Sequence, residues 1–163
     1  MQNNAKAPII VETHLVITEV IDGDSIKVSS IFNKDEKEIR LYGIDCPENK
    51  YNRKMVEDEK KLHTPAEFLL GLGQQAHKFV LSVAPVGTSI TLQIEKGNEL
   101  DHYKRHLAYV ILPDGSCLNE IIVAKGYARA TGDYFCEELP KYQALQLRAM
   151  QNKQGLYRYI SRL

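Results

Sequence analysis

The stretch Ile39–Glu48, I-R-L-Y-G-I-D-C-P-E, constrains this chain more than any other, because it sets a cation and two acids beside a break in an apolar strand. Successive side chains leave opposite faces of a strand, so Ile39, Leu41 and Gly43 share one face and Arg40 leaves the other. Pro47 has no N–H for a ladder and restricts Cys46 before it. The strand is therefore expected to stop near Asp45, with the next turn carrying Glu48 back beside it. A guanidinium and two carboxylates then converge.

Upstream, V-I-D-G-D-S-I-K-V places Asp22-Gly23 between two β-rich runs. This is a hairpin signal joining a strand over His14–Val20 to a second strand reaching about Ile31. The turn alone accounts for Asp22, since Asp-Gly suits type I′ geometry. Asp24 has no such account: a carboxylate at a strand start has poor β-propensity and needs a partner or a metal. N-K-D-E-K-E reads as the polar tip of a further hairpin, so the strand over Ile39–Ile44 completes a three-stranded meander.

Asn49 to His63 is mixed in charge and nearly without core residues, which predicts an exposed excursion, partly helical or mobile, at the border of a groove. Phe68, Leu69, Leu72, Ala76, Phe79, Val80 and Val83 recur at helical spacing, predicting a helix over Pro65–Val83 ended by Pro85. Ser89–Ile94 alternates as a fourth strand and Arg105–Leu112 forms a fifth, closed by Pro113-Asp114-Gly115. Leu118–Lys125 reads as a short helix capped by Gly126. A final helix from about Leu139 to Lys153 carries Leu145, Leu147 and Met150 and stops at Gly155. Five short strands, one helix after the third and a helix pair at the end predict an α+β chain. Its architecture is a five-stranded barrel of the oligonucleotide-binding type (OB-fold) with about three helices, rather than a doubly wound sheet.

Length and composition set the limits. With 163 residues and 44% hydrophobic content, one domain with a real core is expected, over residues 14–163 with an N-terminal extension at 1–13. The 21 Lys+Arg balance 21 Asp+Glu, which argues against bulk attraction to nucleic acid or anionic membrane, so any anion binding must be local. One local imbalance exists: after Glu138 come Lys141, Arg148, Lys153, Arg158 and Arg162 with no acid, for which a solvated helix face is the simpler account. Cys46, Cys117 and Cys136 fit no metal-ligand spacing and cannot all pair within one chain. There is no signal-like h-region and no apolar run of membrane-spanning length. The chain reads as soluble, secreted or periplasmic if a signal peptide has been removed and otherwise cytoplasmic.

Four segments carry related signals in order: D-G-D-S at Asp22–Ser25, Arg40, D-C-P-E at Asp45–Glu48 and D-H-Y-K-R at Asp101–Arg105. With L-A-Y-V at Leu107–Val110, L-N-E at Leu118–Glu120 and G-Y-A at Gly126–Ala128, they resemble the staphylococcal nuclease (thermonuclease) family from about Val16 to the last helix. The resemblance implies a calcium-dependent phosphodiesterase on an OB barrel, acting on DNA, RNA or both as a monomer. It implies Asp24 and Asp45 as carboxylate ligands of Ca²⁺, with the Cys46 main-chain carbonyl as a third. Glu48 is implied as the base, Arg40 and Arg105 as the pair gripping the scissile phosphate, and Tyr103 and Tyr134 as substrate contacts. These residue types suit that chemistry, since Ca²⁺ takes oxygen ligands in irregular geometry and guanidinium groups match phosphate oxygens.

Lys104 stands where the family usually has glycine; if that glycine serves a positive-φ turn, Lys104 is strained or the turn differs. His102 and His106 flank the site as phosphate-facing or merely exposed residues. The alternative is a barrel that binds nucleic acid or a protein without cleaving, which has no need to keep Asp24, Arg40, Asp45, Glu48 and Arg105 together. A third reading makes these charges structural ion pairs at the barrel mouth.

Overall fold

Alternating burial along β1 (Ile9–Asp22), β2 (Ser25–Ser30) and β3 (Glu36–Leu41) turns Leu15, Ile17, Val20, Ile26, Val28 and Ile39 inward. Together with β5 (Ser89–Glu95) and β6 (His106–Ile111), these strands close a ring in the order β1-β2-β3-β6-β5. The pairing of β3 with β6 is parallel. Closure leaves no open ladder, and the α+β barrel is the architecture expected. β1 is long enough to pair on both sides because register shifts near Glu12, Ile17 and Val20 bend it around the ring. In this computed structural model the described residues are 8–33, 35–50, 57, 60–61 and 65–163. The excursion read over Asn49–His63 lies mostly outside them. No helix among the described residues is long and apolar enough to cross a membrane.

Local differences from the sequence reading have identifiable causes. β1 begins at Ile9 rather than His14, and Ile9–Glu12 pair with β5. Asp22 pairs with Ser25, which makes Gly23 and Asp24 the turn residues. Gly23 is not among the positive-φ glycines, so the type I′ expectation does not hold. Gly23 serves close packing instead, since a Cβ there would stand 2.5 Å from Cys46 Sγ. The strand expected over Ile39–Ile44 breaks at Gly43, whose φ of 74° turns the chain before a two-residue strand, β4 (Ile44–Asp45), pairs with β7 (Arg129–Ala130).

Helix α1 (Ala66–Val83) follows Pro65 and buries Leu69, Leu72, Ala76 and Val80, close to the expected span. Helices α2 (Leu118–Ala124) and α3 (Leu139–Gln151) pack on one another. The buried stripe of α3 is Leu139, Tyr142 and Ala149, while Leu147 is 57% exposed, contrary to its expected place on the apolar face. Five residues on from Tyr142, it points roughly 140° away from that stripe.

Asn119, in the L-N-E segment of α2, is fully buried and clamps three elements. Its Oδ1 accepts from the Val110 N–H at 3.1 Å, and its Nδ2 donates to the Tyr42 and Ala108 carbonyls at 3.1 and 3.2 Å. Leaving buried backbone groups unpaired costs about 1–3 kcal/mol each. Asn119→Leu is expected to lower folding stability by about 2–4 kcal/mol, read as a shift of the urea midpoint at unchanged slope.

Candidate active site

The break after β3 folds Asp45 and Glu48 back toward the first hairpin, and the two-residue pairing of β4 with β7 brings Arg129 to the same place. Asp24, Arg40 and Asp45 are 5%, 2% and 8% exposed. Arg40 Nη2 lies 3.3 Å from Asp24 Oδ2 and 3.2 Å from Asp45 Oδ1, and its Nη1 donates to the Leu41 carbonyl at 3.0 Å. Burial disfavours the guanidinium charge, but the Asp24 and Asp45 carboxylates outweigh it and hold Arg40 more firmly protonated than usual. Arg129 Nη2 reaches the other Asp45 oxygen at 2.9 Å. The Cys46 N–H donates to Asp24 Oδ2 at 2.8 Å. Cys46 itself is buried and its thiol is pushed up by burial, so the side chain packs.

Arg105 arrives from the D-H-Y-K-R segment. Its backbone N–H donates to Asp101 Oδ1 and its Nε to Oδ2, both at 2.8 Å. Burial opposes the Asp101 charge, yet these Arg105 bonds win and hold the carboxyl below its ordinary range. Lys104 adopts φ 62°. The left-handed turn is therefore kept without glycine, at a strain of about 1–2 kcal/mol, and Arg105 still lines the cavity. His102 and His106 are exposed. Tyr103 is 78% exposed, whereas the Tyr134 ring lies 3.7 Å from Arg40 Cζ and its OH accepts from Arg105 Nη2 at 3.2 Å.

These groups share a cavity of about 200 Å³ that joins Asp24, Arg40, Asp45, Glu48, Arg105 and Tyr134 with three residues the sequence reading had not assigned to it, Asp22, Arg129 and Asp133. In sequence, Asp22 reads as a turn residue. Arg129 carries the same signal as Arg40, a cation inside an apolar alternation, Y-A-R-A, but its partner Asp45 is 84 residues away. Another missed residue is Gly73 on α1, where a Cβ would stand 1.9 Å from the Glu48 carbonyl oxygen. The helix backbone thus lies directly against Glu48 and fixes where it enters the cavity.

Residues 38–159 match the family described as staphylococcal nuclease homologue. The chain belongs to this family. The matched span contains Arg40, Asp45, Glu48 and Arg105 and begins after Asp24. The chain is 30% identical to Endonuclease YhcR of Bacillus subtilis (strain 168) over 149 residues, covering 87% of this chain and 11% of that protein. It is 30% identical to Endonuclease YncB of the same organism over 129 residues, covering 79% and 52%. An uncharacterized endonuclease of Escherichia coli O157:H7 is 28% identical over 148 residues, covering 90% and 78%. The chain therefore spans a tenth to half of the two Bacillus relatives. The family is generally metal-dependent. The donors here suit a hard cation, since Asp22, Asp24 and Asp45 offer only oxygen, but no three His, Cys, Asp or Glu side chains among the described residues are arranged to hold a metal.

Two consequences can be measured. Gly71 and Gly73 lie on one helix, yet a Cβ at Gly71 meets nothing within 4 Å. Gly71→Ala should gain about 0.5–1 kcal/mol of stability from helix propensity, whereas Gly73→Ala should lose more than it gains, in paired urea titrations. Separately, burial and then the neighbouring Asp24 carboxylate push the Asp22 carboxyl from 3.8 up to about 9. The folded chain thus holds this proton to higher pH than the unfolded one. Its stabilising contribution is complete below pH ~4 and is lost as pH rises toward 9. In chelator, Asp22→Asn is expected to flatten that decline and to raise stability at pH 8 by at least about 1 kcal/mol.

Proposed function

We propose that the chain is a calcium-dependent nuclease that hydrolyses phosphodiester bonds in single-stranded or flexible DNA, RNA or both. The observation that carries the reading is the cavity itself, where five acids and three arginines face one space on the barrel. A phosphodiester is repelled from an excess of carboxylates unless a cation accompanies it, so the arrangement asks for metal and phosphate together. A binding-only barrel has no need of that excess, and ion pairs alone would not leave a cavity open between them.

Asp24 and Asp45 would hold the cation, completed by the Cys46 carbonyl, water and substrate oxygen. When bound, Ca²⁺ supplies Lewis-acid polarisation of a phosphoryl oxygen. Arg40 fixes the two carboxylates from the barrel side and meets the phosphate there, while Arg105 grips it from the open side. Both guanidinium groups stabilise the charge that builds on the phosphorane oxygens. Glu48 takes the proton of the attacking water. Asp101 aims Arg105, so Arg105 is half of an ion pair rather than a freely solvated side chain.

Single-stranded DNA and RNA incubated with calcium, with magnesium and with chelator test the reading: cleavage is expected with calcium and is overturned by full activity in chelator. Glu48→Gln should keep the fold and lose turnover by roughly 10²-fold or more. Arg105→Lys, which replaces a planar fork with a point charge, should lose on the order of 10²-fold. Both are read as turnover per folded molecule, with urea midpoints measured alongside.

A further inference from the structure

The basic C-terminal end has no part in the chemistry above. Three of the cations near it meet in a second cavity of about 340 Å³, lined by Phe79, Lys125, Tyr127, Lys153, Gly155 and Arg158, among others. No carboxylate lines it, and among the described residues Lys125, Lys153 and Arg158 are exposed and form no ion pair. Phe79 and Tyr127 stack at its wall with ring centroids 4.2 Å apart and planes within 7°.

Backbone contacts hold these cations together. A Cβ on Gly126 would stand 2.2 Å from the Gln154 carbonyl oxygen, and one on Gly155 would stand 2.3 Å from that of Lys125. The Leu156 N–H also donates to the Gly126 carbonyl at 2.9 Å. Lys153 is placed at a cost. The Lys153 N–H bonds to Met150 O at 3.2 Å and the Gln154 N–H to Ala149 O at 2.9 Å, the paired bonds of a Schellman ending in which glycine is the usual left-handed residue. Lys153 takes that position at φ 50°. A lysine standing where glycine is less strained, with its side chain lining a cationic cavity, points to work for that ammonium.

One residue of each cavity lies close along the chain. Tyr127 lines this one and Arg129 the active cavity, with buried Ala128 between them, a chain separation of at most roughly 7 Å. We infer that the second cavity binds the phosphate backbone of the same single-stranded nucleic acid, next along the strand from the active cavity. This rests on the nucleic-acid reading above. Three cations without carboxylates match consecutive phosphates, and the aromatic pair offers a surface to a base.

The test is binding of a fluorescent oligothymidylate, and of its RNA counterpart, to the full chain in chelator across a range of salt. Each phosphate contact contributes a slope of about 0.7 in log K against log salt for single strands. The triple variant Lys125→Gln/Lys153→Gln/Arg158→Gln should therefore lose a slope of about two and bind at least about tenfold more weakly at low salt. Lys153→Gly should also weaken binding, yet unfold at a higher urea midpoint than Lys153→Gln, because glycine relieves the left-handed strain. A midpoint below that of Lys153→Gln would overturn the strained placement of Lys153. Unchanged slope and affinity in the triple variant would overturn the site, as would loss of binding to phosphatidylserine vesicles with oligonucleotide binding intact. Dinucleotide cleavage by the parent chain with calcium separates the two readings. If the parent fails to cleave while the triple variant loses slope, the second site stands and the catalytic reading falls; cleavage with unchanged slope does the reverse.

Discussion

A guanidinium buried to 2% exposure governs how this barrel is built. Arg40 sits where the barrel wall meets the cavity, and a charge there is tolerable only if its donors are taken up on every side. Its neighbours are accordingly drawn from four separate parts of the chain: Asp24 from the first hairpin, Leu41 from its own strand, Asp45 from β4 and the Tyr134 ring from the segment after β7. Removing both carboxylates would leave an uncompensated buried charge, at roughly 3–5 kcal/mol. Folding and assembly of the cavity are therefore one event. The same carboxylates that make Arg40 tolerable are those a cation would require, so metal and arginine compete for their oxygens, and Arg129 on the far oxygen of Asp45 keeps that side chain oriented while they do.

Close backbone contacts at glycines do the rest of the positioning. Gly73 lets α1 rest on the Glu48 backbone, and Gly23 lets the first hairpin rest on Cys46. The chain from Cys46 to Glu48 is thus packed closely on two sides, while Arg40 and Arg129 hold the Asp45 carboxylate. The Gly73 contact is with main chain and the Gly23 contact with the Cys46 side chain, so little room is left for the segment to shift. The Asn119 clamp holds the chain just before this segment, through the Tyr42 carbonyl.

The sequence made local features legible and hid those that depend on distant pairing. The five barrel strands and α1 follow from alternation and helical spacing, whereas the roles of D-G-D-S, D-C-P-E and D-H-Y-K-R are legible only through their joint resemblance to a family. Asp22 was lost to the sufficiency of its own turn: Asp-Gly accounts for a hairpin so well that a second role leaves no trace. β4 and β7 are two residues each, too short for any periodicity, so Arg129 had no visible reason to meet Asp45. Leu147 misled because an apolar residue on a helix says nothing of which face it takes until the stripe is fixed by others. Lys104 shows the opposite case, where a departure from the family's glycine left the geometry in place.

That persistence has a physical explanation. Left-handed φ is costly for lysine, about 1–2 kcal/mol, and survives only where surrounding bonds over-determine the backbone. At Lys104 the determination comes from Asp101, which accepts from the N–H groups of Tyr103 and Arg105 and from Arg105 Nε, while the Lys104 N–H donates to the Asp101 carbonyl at 3.0 Å. The aspartate closes the loop whatever residue occupies position 104, so glycine there is a convenience rather than a requirement. At Lys153 the helix ending provides the equivalent pair of bonds. His14, the third left-handed non-glycine residue, occupies the irregular part of β1 between Glu12 and Leu15, where the bend of the strand imposes the conformation, and it lines neither cavity. Strain in this chain thus has two origins, the bend of a barrel strand at His14 and the closing hydrogen bonds of a loop at Lys104 and of a helix end at Lys153.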